Sequence, residues 1–146
     1  MDPKVLRLRS PEDCESFATN VEAKHPSLAQ EARRRAVELR AQSFGAKSEA
    51  EREALRAVYA YEEVLSRKNG KKTRASRTWQ MIKRHGIIEA VQRAVCRKEE
   101  TMGYTALVDV GMQDFAFECV VLRHPDLFSA EAVAISTSRV SAWNEP

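Results

Sequence analysis

At 146 residues, with 43% apolar and 31% charged side chains, the chain has the size and composition of one folded globular domain, which excludes the disordered and collagen-like classes. No apolar run approaches the roughly 20 residues of a membrane helix, and Met1-Asp2-Pro3-Lys4 lacks the apolar stretch of a signal peptide. A cytoplasmic protein with no membrane contact is therefore expected.

The net charge of +3 conceals a strong segregation. Residues 66–98 carry 11 basic side chains and one acid, Glu89, a balance of +10. Residues 99–146 carry two basic and eight acidic side chains, a balance of −6, while residues 1–65 are nearly neutral. The expected organisation is a single helical domain over 1–146 with a basic segment at 66–98 and an acidic C-terminal third at 99–146.

Helix starts and stops follow in chain order. Ser10-Pro11-Glu12-Asp13 supplies a hydroxyl N-cap, a proline at the first helical position and two acids, predicting a helix to about Lys24, where His25-Pro26 stops it. Ser27-Leu28-Ala29-Gln30 reads as a capping box opening a second helix that ends near Gly45. Ser48-Glu49-Ala50-Glu51 opens a third, with Leu55, Val58, Glu62 and Leu65 on one stripe and Asn69-Gly70 as its end. After an exposed loop over Lys71–Ser76 that leads into a cap, a short helix from about Ser76 to His85 turns Ala75, Trp79 and Ile82 inward and stops at Gly86. A further helix carries Ile88, Val91 and Val95 and ends near Arg97-Lys98. The stretch 104–122 fits two short helices better than the alternative, a small β-hairpin turning at Gly111–Asp114. A last helix spans Ala130 to about Trp143 behind the Ser129 cap. The fold class is all-α, with about six or seven short helices.

Catalytic and metal signatures are missing from the sequence. Cys14, Cys96 and Cys119 form no CxxC pair, and no HxxxH or HExxH spacing occurs. His25, His85 and His124 each follow a basic residue and precede Pro or Gly, which suits helix C-terminal caps. Were 104–122 a hairpin, Asp109 and Glu118 would approach a common magnesium ion; the lysine that nucleases of that pattern place two residues later is replaced by Val120. Neither phosphate-binding nor nucleophile motifs are present. No cofactor, metal or enzymatic activity is expected.

The functional expectation rests on Arg67, Lys68, Lys71, Lys72, Arg74, Arg77, Gln80, Lys83 and Arg84, gathered on one loop and one short helix. Positive charge followed by a helix start suits phosphates, and Arg and Gln on one exposed face suit base edges. This points to a non-enzymatic nucleic-acid-binding protein, with duplex DNA favoured over RNA. The alternative is docking on a protein partner, or on a second copy, through charge-complementary surfaces. A helix-turn-helix-like spacing also occurs, Ile82 and Val91 bracketing Gly86, which would make the following helix the reader through Glu89, Gln92, Arg93 and Arg97.

Overall fold

The structure, a computed structural model, describes residues 1–97 and 104–144. Lys98 and the adjacent acids Glu99 and Glu100 lie outside the described residues. All regular structure among the described residues is helical, and the chain divides into two compact units, Met1–Ala46 and Lys47–Pro146. Nine α-helices and two short 3-10 turns are described, more than the six or seven expected. One addition is a first turn over Pro3–Leu6, capped by the Asp2 side chain, which accepts from the Lys4 amide at 2.8 Å.

In the first unit, α1 (Pro3–Leu6), α2 (Pro11–Val21) and α3 (Pro26–Phe44) pack around Val5, Ala18, Ala29 and Ala32, with Leu8, Phe17, Val21 and Leu28 against them. Three alanines in that set let the helix backbones approach closely. The Ser10 cap forms as the sequence requires, accepting from the Asp13 amide at 3.1 Å. The Ser27 capping box does not form: Pro26 takes the first helical position and His25 becomes the N-cap, without a side-chain bond. Glu22 with Arg33 (3.1 Å) and Glu15 with Arg40 join α2 and α3 as an antiparallel pair.

In the second unit, α4 (Glu49–Asn69) is the central helix. The Ser48 hydroxyl accepts from the Glu51 amide at 3.2 Å, and Gly70 ends the helix in the left-handed region. Against it pack α6 (Ile87–Val95), α7 (Tyr104–Asp109), a 3-10 turn at Gln113–Phe115 and α8 (Phe117–Arg123), while α5 (Ser76–His85) packs on α6, a second 3-10 turn at Pro125–Leu127 follows α8, and α9 (Ala130–Trp143) packs on α8 and α6. The core holds Leu55, Val58, Val91, Val95, Leu107, Met112, Phe115, Val120 and Val121. Helices, not a hairpin, therefore occupy the described part of 104–122. The reason is visible at Phe117: its amide donates to the buried Tyr61 hydroxyl at 3.0 Å, and its ring meets Tyr61 edge-on at 5.1 Å. A buried start to α8 is thus satisfied from α4.

Candidate nucleic-acid interface

Residues 70–75 form a loop pinned to the last turn of α4 rather than a free connection. The Ser66 hydroxyl accepts from the Thr73 amide at 2.8 Å and donates to the Thr73 carbonyl at 3.3 Å. Asn69 donates its amide to the Thr73 hydroxyl at 3.2 Å, and that hydroxyl donates to the Lys71 carbonyl at 2.9 Å. With the backbone held at Thr73, Lys71 and Lys72 point into solvent as exposed side chains.

Glu62 anchors the other end of the loop. One oxygen, Oε2, accepts from the Ala75 amide at 2.9 Å and from the Trp79 indole N–H at 2.6 Å, with Arg74 at 3.7 Å. The Arg74 guanidinium also lies 5.3 Å from the centroid of the Trp79 ring, and the Tyr59 ring packs on Trp79 with centroids 5.4 Å apart. The expected inward face of α5 is thus only partly realised. Ala75 is buried, but Trp79 and Ile82 are half-buried, and no residue of α5 itself is buried.

The nine sequence-derived site residues separate by environment. Arg67 faces Glu63 at 3.6 Å one turn back along α4, and Arg74 faces Glu62. Lys68, Lys71, Lys72, Arg77, Lys83 and Arg84 are exposed and make no ion pair among the described residues. Gln80 is exposed as well. At 100° per residue, Ser76, Arg77, Gln80, Lys83 and Arg84 fall within an arc of about 120° on α5. That arc contains no acid.

The competing reader, α6, has its polar groups engaged elsewhere. Gln92 donates to the Ser129 hydroxyl at 2.6 Å and accepts from the Ser129 amide at 3.0 Å, fixing the start of α9. Arg93 pairs with Glu89 at 3.1 Å, and Arg97 donates to the Met81 sulfur at 3.0 Å. The connection between α5 and α6 is Gly86 alone, at φ 88° and ψ 166°. A helix-turn-helix has a turn of about three or four residues, so this corner departs from that motif.

Other charged groups serve the structure. Glu118 is buried and accepts from Arg139 at 3.0 Å, while Arg139 also donates to the Val95 carbonyl (3.1 Å) and the Arg97 carbonyl (3.0 Å), closing the end of α6. Asp109 sits exposed at the end of α7, so the metal pairing imagined for a hairpin does not form. No group of three metal-ligating side chains occurs among the described residues.

Glu53, on α4, accepts from Arg123 and lies 2.9 Å from His124 Nε2. Burial pushes its carboxyl upward, but the hydrogen bonds from His124 and Arg123 outweigh burial and hold it below its ordinary value. His124 therefore reaches across to α4 rather than only capping its own helix. Burial raises the thiols of Cys14, Cys96 and Cys119, which favours their protonated form.

Sequence reasoning missed the pins: Glu62, Ser66, Asn69 and Thr73. Glu62 did leave a trace, an acid on the otherwise apolar Leu55–Val58–Leu65 stripe of α4. Compared with family models, curated proteins and solved structures, the chain matches none. Among the described residues no helix is long and apolar enough to cross a membrane.

Proposed function

We propose that this chain is a non-enzymatic nucleic-acid-binding protein that docks duplex DNA through the end of α4, the 70–75 loop and the outward face of α5. The observation that carries this reading is the set of six exposed cations without acidic partners, Lys68, Lys71, Lys72, Arg77, Lys83 and Arg84, around a loop whose backbone is already fixed. Elsewhere, by contrast, many arginines are spent: Arg33, Arg40, Arg52, Arg123 and Arg139 all bind carboxylates. Pre-ordering of the loop lowers the entropy lost when its lysines meet phosphates.

A duplex suits this surface better than a single strand. Single-strand binders offer exposed rings on which bases stack, whereas Trp79 here is half-buried, with its N–H on Glu62 and its ring in contact with Arg74 and Tyr59. DNA suits a surface helix better than RNA, whose deep and narrow major groove shuts side chains out.

Fluorescence anisotropy with a labelled random-sequence DNA duplex tests the proposal. Binding at low salt that weakens steeply as salt rises is expected, with a single strand of equal length bound less tightly. Absence of duplex binding at low salt would end this reading.

A further inference from the structure

Resting on that reading, we infer that α5 enters the major groove and that Gln80 sets its base preference, an adenine flanked by guanines met by Arg77 and Arg84. Gln80 lies at the middle of the exposed arc around the helix. Arg77 stands one turn before it and Arg84 one turn after it, within about 60° of Gln80. Lys83 occupies the opposite flank of the arc, the position from which a helix in a groove meets a phosphate wall.

The helix is shaped for such an approach. None of its ten residues is buried, so α5 stands at the surface of its unit instead of within it. An α-helix with its side chains is about 10–12 Å across, which fits a major groove about 12 Å wide.

The chemistry of the three side chains then assigns the bases. A glutamine amide offers one donor and one acceptor, the complement of adenine N7 and N6, and arginine forks onto guanine O6 and N7. Gln80 is the one exposed amide on the arc and makes no hydrogen bond among the described residues, so its pairing capacity is unspent. The glutamine on α6, Gln92, is committed to Ser129, which leaves α5 as the face able to read.

The test is selection from a duplex pool with a randomised centre, using the full chain, followed by affinity measurements on the enriched duplex and on base-substituted copies. The wild type is expected to enrich adenine between guanines and to lose about tenfold in affinity when that adenine is changed. Gln80→Ala should abolish the preference at that base and weaken binding of the enriched duplex, while the slope of affinity against salt stays at its wild-type value because the side chain is uncharged. Gln80→Asn, which keeps the amide on a shorter arm, should retain part of the preference.

Equal binding of all duplexes by the wild type, or an intact preference in Gln80→Ala, would overturn this inference and leave the proposed function standing. A poly-glutamate peptide bound as tightly as duplex, without base preference, would also overturn it and point to an acidic protein surface. No duplex binding at all would overturn both readings.

Discussion

Glu62 joins three groups that the candidate interface needs in place: the amide that begins α5, the indole that seats it, and Arg74. Glu62→Ala leaves the half-buried indole N–H and the Ala75 amide without their acceptor, and is expected to cost about 1–3 kcal/mol in urea unfolding. Glu62→Gln keeps an acceptor oxygen and should cost less; equal loss in the two variants would show that the charge, not the bond, matters there. Glu53 predicts a pH dependence. Its carboxyl lies below its ordinary value of 4.5 in the folded protein, so its stabilising contribution is present above that value and is lost as pH falls through the lower folded value. The stability gap between wild type and Glu53→Gln should therefore be steady near neutrality and close in acid; a gap that persists at the acid end would contradict the pairing with Arg123 and His124. These two acids differ in how readable they are from sequence. Glu62 interrupts an apolar stripe and so announces a polar partner, whereas Glu53 finds Arg123 and His124 some seventy residues away, a proximity that no local pattern encodes.

At the scale of elements, the chain's punctuation carries most of the fold. Ser10, Ser48 and Ser129 each cap the helix that follows, because a hydroxyl beside the first turn satisfies an amide that nothing else reaches. Gly45 and Gly70 close α3 and α4 in left-handed geometry for the complementary reason. The ambiguity of 104–122 has a physical source: a short apolar run fits a buried strand and a buried helix equally well by periodicity. Tertiary partners decide it, with Tyr61 receiving the first amide of α8 and Arg139 meeting Glu118. Gly86 is the element-scale position most open to test. It alone links α5 to α6, in a region of backbone space (φ 88°, ψ 166°) that side chains do not tolerate, although open space surrounds the site of a Cβ. Gly86→Ala should therefore cost about 1–3 kcal/mol through backbone strain instead of steric clash. A thermal midpoint unchanged from wild type would contradict the corner as described.

Across the whole molecule the organising fact is charge segregation, and it was legible in full before any geometry. What the sequence could not supply is which charges are spent. Among the described residues of the C-terminal third, the exposed acids Asp109, Asp114, Asp126 and Glu131 sit on four separate elements, and Glu118 is internal. The basic segment, in contrast, keeps most of its cations in solvent on a pinned loop and one short helix. The salt dependence of duplex binding measures this difference most directly. With the six exposed, unpaired cations on phosphates, the logarithm of affinity should fall against the logarithm of salt with a slope of about −5. Lys71→Ala with Lys72→Ala, both outside every hydrogen bond that fixes the loop through their side chains, should flatten that slope by about 2 with the melting temperature unchanged. A slope that the double variant leaves untouched, or a wild-type protein that ignores duplex at low salt, would contradict the assignment of this surface.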